Sequence, residues 1–473
     1  MYMLQLFNTK SRKKEEFIPL ISGHVLFYHC GPTVYWTQHI GNLRGMTLGD
    51  LVRRTLEYLG YEVKHVRNYT DVGHLTSDSD TGEDKMEKGA KREGKTPEGI
   101  ANFYIDQFET DTKKLNLLEP TAKPRATQYI PDMIAIVSAL IEKGYAYSTD
   151  LAVYFDVTKF ADYTKLSNQQ MDKLMEGAGK AEVSDPRKKH AADFVLWFFT
   201  AGVHTNALQH WPSPFQSLLV KDGIGFPGWH LECSAMTKAL LGTTIDIHMG
   251  GVEHIPVHHT NEIAQSEAAN GVKFVNYWLH NEHLLVNDKK MAKSEGTSFS
   301  LSDIIKHGYD PLILRYFFLQ SHYRSKQNFT WEALDGAKTA LSTLRDFALS
   351  WKTDEVFNNQ ISEEGTSYKT KFVEAISDDL NIPKALGVLW DMTKADIVSA
   401  EKLSLLLDFD RVLGLGLADW KSVEIPVDMQ EKAALITSLR KEKKFTEADA
   451  LRKQITDAGY IVQDLAAGTI VKR

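Results

Sequence analysis

The chain has 473 residues, 43% hydrophobic and 25% charged, with a formal net charge of −7. This is the balance of an ordinary globular protein of about three domains, and no apolar run approaches the roughly 20 residues that span a bilayer. The negative charge argues against indiscriminate nucleic-acid binding but not against a local basic face. No secretory signal is read at the N-terminus, and the two cysteines, Cys30 and Cys233, suit a reducing compartment, so a cytoplasmic location is expected.

In chain order, Val25-Leu26-Phe27-Tyr28 lies between Gly23 and Gly31-Pro32 and reads as a buried strand. Residues 46–59 carry Leu48, Leu51, Val52, Leu56 and Leu59 at helical spacing, and residues 61–70 read as a second strand. In a strand, loop, helix, strand unit, ligands bind beyond the carboxyl ends of the strands. Cys30 and the turn His39-Ile40-Gly41-Asn42 fall at that edge. Gly41 allows close approach of a ligand, and the helix start is expected to offer free N–H groups and positive dipole to phosphate.

Residues 68–95 are polar and read as a long surface loop leading to a helix near 85–91. Helices are predicted at 100–118 and 131–143, a hairpin strand at 145–156 and an exposed charged segment at 169–189, and 192–199 is apolar again. Residues 131–223 read as a domain inserted into the sheet domain. Strand, helix and strand are predicted within 228–251, one strand at 278–286, and a polar loop at 287–297. From about Glu332 the pattern is helical, with long stretches at 333–349, 366–376 and 385–407. Gly414, Gly416 and Pro426 mark a linker to a small terminal unit, 427–473.

Three groups of residues suggest chemistry. His258-His259-Thr260-Asn261-Glu262 sets a histidine and a carboxylate at i and i+4, on one helix face, as in many zinc sites. Cys30 and Cys233 could add thiolates; the plain alternative is an exposed helix face. The run Lys289-Lys290-Met291-Ala292-Lys293-Ser294-Glu295-Gly296-Thr297 could close on a polyphosphate and neutralise its charge, or simply be a solvated loop. The terminal unit 427–473 holds nine Lys/Arg against seven Asp/Glu, with Phe445 and Tyr460 among them. Aromatic rings on a basic face suit single-stranded RNA; a helical hairpin with solvated charges is the alternative.

Several stretches together carry a resemblance: Cys30-Gly-Pro-Thr-Val-Tyr, His39-Ile-Gly-Asn, Arg67-Asn-Tyr-Thr-Asp, Pro124-Arg-Ala-Thr, Asp193-Phe-Val-Leu-Trp, Pro227-Gly-Trp-His-Leu-Glu-Cys-Ser-Ala-Met, Asp246-Ile-His-Met-Gly-Gly, His258-His-Thr-Asn-Glu-Ile-Ala-Gln-Ser, Lys290-Met-Ala-Lys-Ser and Ser321-His-Tyr-Arg-Ser. In this order and spacing the chain resembles the cysteinyl-tRNA synthetases, a family of class I aminoacyl-tRNA synthetases, over essentially its whole length. The resemblance implies an α/β fold: a Rossmann-like parallel-sheet catalytic domain (1–130 and 224–280) with an inserted connective domain (131–223). A stem-contact region with the lysine loop (281–331), a helical bundle (332–425) and an anticodon-side domain (426–473) would follow.

It further implies that Cys30, Cys233, His258 and Glu262 hold one Zn²⁺ and that Thr70 and Trp229 complete a cysteine pocket. His39, Gly41, Asn42, Gly250, Gly251, Lys290, Lys293 and Ser294 would contact ATP, with Mg²⁺ entering alongside it. Of these, His39, Asn42, Lys290 and Lys293 are the expected catalytic contacts. Arg440, Phe445, Asp449 and Asp464 would read the anticodon. The implied partners are tRNA(Cys), ATP and L-cysteine, with no membrane, and the chain is expected to be a monomer. Two positions depart from the family pattern: Asn42 replaces a histidine and Ala292 a serine. The loop at 71–85 is longer than usual. Two other activities stay open, a cysteine ligase acting on an amino-sugar thiol precursor and a non-catalytic zinc-containing RNA-binding protein.

Overall fold

The computed structural model describes residues 3–72, 84–170, 185–291, 296–352, 361–421, 426–465 and 468–472. Most of the 71–85 loop, the core of the exposed segment at 169–189 and part of the linker before Pro426 lie outside these residues, as do Lys293 and Ser294.

An N-terminal hairpin, β1 (Gln5–Asn8) and β2 (Lys13–Glu16), precedes β3 (His24–His29), α1 (Ile40–Tyr58) and β4 (Glu62–Arg67). Next come α2 (Lys85–Glu93), α3 (Pro97–Lys114) and α4 (Ile130–Glu142). Strands β5 (Ala146–Ser148), β6 (Ala152–Phe155), β7 (Phe194–Phe199) and β8 (Gly225–Pro227) form one antiparallel sheet in that order. The chain continues through α5 (Trp229–Leu241), β9 (Ile245–Gly251), α6 (His258–Asn270) and β10 (Val275–Asn281). The central sheet is parallel with order β10-β9-β3-β4. All seven residues of β9 are buried, the continuous burial expected of a strand covered on both faces.

Helix α1 begins at Ile40, well before the apolar periodicity that starts at Met46. His39 Nδ1 accepts the Asn42 N–H while Asn42 Oδ1 accepts the His39 N–H, a reciprocal cap that carries the helix through Gly41 and Gly45 despite their low propensity. At Gly49 a Cβ would lie 2.3 Å from the His29 ring, so α1 can lie directly on β3 only because that carbon is missing.

Four expectations are corrected. The single strand expected at 278–286 is two strands: β10 ends at Asn281, and β11 (Leu284–Val286) belongs to another sheet, with β12 (Lys289–Lys290) and β13 (Gln327–Phe329) in the order β12-β11-β13. The break falls within the polar stretch His280-Asn281-Glu282-His283. The lysine segment is therefore not all loop, since Lys289 and Lys290 pair with Val286 and Leu285. The stretch 385–407 is two helices, Ile382–Lys394 and Ser399–Leu413, broken at Ala395, which is extended; no Gly or Pro marks the break. The strand expected at the head of 228–251 lies earlier, as β8, in the antiparallel sheet.

Two compact units result: residues 1–347 with 351–417, and residues 348–350 with 418–473. The second unit's helices Val427–Lys441 and Phe445–Asp457 and its hairpin Ile461–Leu465/Gly468–Lys472 enclose Ile436, Leu439, Ala448, Ile455 and Val462. Among the described residues no helix is long and apolar enough to cross a membrane.

Candidate active site

A cleft of about 460 Å³ opens at the carboxyl ends of the parallel strands. Cys30 follows β3, Thr70 follows β4, and Gly250 and Gly251 close β9. These four, with Trp229, Cys233 and His258, line the cleft together with His39, Gly41, Asn42 and Lys290. Eleven of the residues singled out by sequence therefore share one cavity. Glu262 lies one helical turn behind His258, fully buried.

The floor of the cleft is rich in metal-type donors. Ligating atoms of Cys30, His258, His259 and Glu262 all lie within 4.8 Å of one another. Cys30 Sγ is 3.3 Å from His259 Nε2 and 3.4 Å from His248 Nε2, and Cys233 hydrogen-bonds to Cys30. Burial would raise the Cys30 thiol, but the Cys233 hydrogen bond and the His259 and His248 rings outweigh it and hold it well below the ordinary thiol value. Cys233 is pushed the opposite way by Cys30 and by burial. His258 Nε2 lies 2.9 Å from Glu262 Oε1, yet neither Glu262 oxygen has an aligned hydrogen-bond donor among the described residues. A buried carboxylate left in that state is costly. A cation among sulfur, imidazole and carboxylate donors would satisfy it, and this donor set suits Zn²⁺. The site fits the metal.

The surrounding groups hold these donors. The Trp229 ring stacks on His258 with centroids 4.3 Å apart and planes 22° apart. His259 Nδ1 meets His280 Nε2 at 2.7 Å, and His280 Nδ1 meets Thr9 Oγ1 at 2.8 Å. Thr70 donates to Glu232 Oε2 at 2.8 Å.

At the rim, the first turn of α1 meets both ends of the lysine segment. The Ile40 N–H donates to the Phe299 carbonyl at 2.8 Å, and His39 bridges Ser300. Lys290 is exposed at the end of β12, after a turn in which Asn287 and Asp288 adopt positive φ. Met291 sits over Gly41, where a Cβ would lie 2.2 Å from its Cε. The expectation of several free N–H groups at this helix start is corrected. Ile40 and Asn42 are already bonded, and Gly41 alone in that turn has no acceptor among the described residues.

In the second unit, the Asp464 carboxylate pairs with Arg440 and with Arg452 at 2.7 Å, and it accepts from Thr469 Oγ1 at 2.9 Å. Arg452 and Arg440 hold it down to about 2. Phe445 is 59% exposed, and Asp449 is exposed as well.

The family described as "tRNA synthetases class I (C) catalytic domain" matches residues 16–339. A protein of Burkholderia lata named "Cysteine--tRNA ligase 1" is 43% identical, covering 98% of this chain and 96% of its own. The chain belongs to the cysteinyl-tRNA synthetase family. A "Cysteine--tRNA ligase" of Treponema denticola is 41% identical over 99% of both chains. Among solved structures, Mycobacterium tuberculosis methionyl-tRNA synthetase in complex with methionyl-adenylate superimposes with a TM-score of 0.56 at 12% identity, covering 84% of this chain and 90% of that one; this likeness is one of fold.

As a member of this family the chain is an enzyme, a ligase. Sequence reading assigned no role in this synthetase to His248, His259, His280 or Arg452. His259 stood beside His258 in the quoted stretch, and His248 in Asp246-Ile-His-Met. The signal was present, but only the paired strand β9 and helix α6 aim both rings at Cys30.

Proposed function

We propose that this enzyme activates L-cysteine with ATP and transfers it to the 3′-terminal adenosine of tRNA(Cys). The observation that carries the choice of amino acid is the sulfur-, imidazole- and carboxylate-rich floor beneath a rim built from two phosphate-binding segments. Cys30, Cys233, His258 and Glu262 would hold a Zn²⁺, with His259 also within reach. The ion, when bound, supplies a soft Lewis acid that prefers a thiolate to a hydroxyl and so favours cysteine over serine.

The chain's own residues orient the reactants. Trp229 and Thr70 wall the amino-acid side of the cleft. His39, Gly41 N–H, Asn42, Lys290, Lys293 and Ser294 bind and neutralise the triphosphate, which brings Mg²⁺ with it, while Gly250 and Gly251, at the cleft end of β9, contact the ATP. Asn42 Oδ1 is engaged by the His39 N–H, so its amide NH₂ is the donor, a neutral one where a histidine could be charged. A carboxylate oxygen of cysteine attacks the α-phosphorus, an O–P bond forms, and pyrophosphate leaves. A terminal ribose hydroxyl then attacks the carbonyl carbon, and AMP leaves. Catalysis is positioning and charge stabilisation.

Residues 426–473 would read the anticodon through stacking on Phe445 and hydrogen bonds from Arg440, Asp449 and Asp464. The presence of this unit favours tRNA over a small amino-sugar acceptor. ATP–pyrophosphate exchange with each amino acid in turn, followed by charging of purified tRNA species, tests the reading. Exchange supported by cysteine and charging of tRNA(Cys) are expected; exchange with cysteine but no charging of any tRNA would move the assignment to the small-acceptor ligase.

A further inference from the structure

Arg44 is fully buried in α1, two residues beyond Asn42. It forms no salt bridge with any described carboxylate. Its guanidinium is instead spent on neutral oxygens. Nε donates to Gln327 Oε1 at 3.0 Å, Nη1 to the Glu282 carbonyl, and Nη2 to the carbonyls of His322 at 3.3 Å and Ser325 at 3.1 Å. A buried cation is costly compared with an apolar side chain of the same volume, and the Glu282 carboxylate attracts this one only from beyond salt-bridge distance, so a role beyond filling space has to account for it.

The acceptors locate that role. Glu282 lies in the short link where the chain leaves the parallel sheet at β10 and enters β11. Gln327 is the first residue of β13, the parallel partner of β11, and its own amide donates to the Phe317 carbonyl. His322 and Ser325 lie in the turn that leads into β13. β11 pairs with β12, which ends at Lys290. One guanidinium thus ties three points of the sheet that carries the lysine segment to the helix whose first turn carries His39 and Asn42. The other stem of the segment returns to that same turn through Ile40 and Phe299, and Met291 rests on Gly41.

We propose that Arg44 is a positioning residue for amino-acid activation: its planar fork sets the separation between the first turn of α1 and the lysine segment, so that both close on one triphosphate. This rests on the reading of those two segments as ATP contacts. Lysine could keep the charge but not the fork, because its ammonium is a single point that cannot meet four spread acceptors.

The test uses the full-length zinc-loaded enzyme with Arg44→Lys and Gln327→Met; the second variant removes the Nε acceptor and keeps the volume. Arg44→Lys should lower the rate of cysteine-dependent ATP–pyrophosphate exchange by about ten- to a hundredfold, the cost of roughly an ångström of misplacement, and raise the KM for ATP. The KM for cysteine, the zinc content and the rate of transfer from preformed cysteinyl adenylate to tRNA should stay within about twofold of wild type, since none of them needs the triphosphate held. Gln327→Met should show the same split at smaller size. Equal losses in both KM values and in transfer, or no loss in exchange, would overturn the proposal. Lys290→Ala separates the two levels. If it loses exchange while Arg44→Lys does not, the positioning role alone fails; if it too leaves exchange intact, the ATP assignment fails with it.

Discussion

In the proposed mechanism Lys293 would act by charge and Gly41 by absence of bulk. Lys293→Ala should slow adenylate formation by removing a cation that the developing negative charge requires, a loss of roughly 2–4 kcal/mol of transition-state stabilisation, with cysteine binding unchanged in equilibrium titration. At Gly41 the added methyl of alanine would sit 2.2 Å from Met291 Cε and 3.1 Å from the His39 ring. Overpacking of that kind costs about 1–3 kcal/mol, and here it should appear as a raised KM for ATP. Because the far end of Met291 is the nearer obstacle, Met291→Ala in the same chain should restore most of the loss; a double variant no better than Gly41→Ala would mean the two residues do not meet in the working enzyme. Cys30, His258 and Glu262, which the structure gathers with His259 into one donor cluster, stood out in the sequence because sulfur and paired i, i+4 donors are rare and chemically marked. His248 was not, because a histidine inside a buried strand looks like any other core residue until its neighbours are known.

Helix α1 shows what element-scale reading can and cannot reach. Its apolar stripe was plain from Leu48, Leu51, Val52 and Leu56, but its true start was hidden, because the cap is a His39–Asn42 pair rather than the usual Ser, Thr or Asp. Its far end is anchored by charge. Asp50 accepts from Arg315 Nη2 at 2.7 Å, Arg54 Nε at 2.8 Å and the Leu118 N–H at 2.8 Å, and Arg315 also donates to the Leu413 carbonyl at 2.7 Å. Burial would raise the Asp50 carboxyl, but Arg315 and Arg54 outweigh it and hold it below the usual carboxylate value. The folded state therefore binds this proton less readily than the unfolded chain. The stabilisation is complete above the unfolded aspartate value of about 3.9 and is lost as pH falls from there through the lower folded value. Asp50→Asn should cost about 3–5 kcal/mol at neutral pH, the usual penalty for breaking a buried pair. In denaturant titrations the gap between the two proteins should narrow below about pH 3.9; a gap that stays constant would show that Asp50 is not the charged partner. The boundary between β10 and β11 falls in the polar stretch 280–283, but its partner Arg44, which donates to the Glu282 carbonyl there, lies more than 230 residues away in sequence.

For the whole molecule, the parallel catalytic sheet was legible because its strand-helix-strand units are continuous in sequence, while the antiparallel sheet β5-β6-β7-β8 was only glimpsed, since its strands are gathered from residues 146 to 227. On the proposed reading, the terminal unit would separate two steps of the reaction. Removing residues 427–473 should abolish efficient charging of tRNA(Cys) while sparing cysteine-dependent pyrophosphate exchange; charging that survives would take the anticodon contacts elsewhere. Above all, the account places amino-acid choice in a metal. Cysteine and serine differ by sulfur for oxygen, and a pocket of shape and apolarity separates such neighbours by only about 10–200-fold. The direct measurement is the ratio of cysteine- to serine-dependent ATP–pyrophosphate exchange, taken on enzyme carrying about one zinc per chain and again after complete chelation. The account predicts a strong preference for cysteine that collapses with the metal and returns when zinc is restored. A metal-free enzyme that still prefers cysteine by more than about a thousandfold, beyond what shape and apolarity supply, would contradict it.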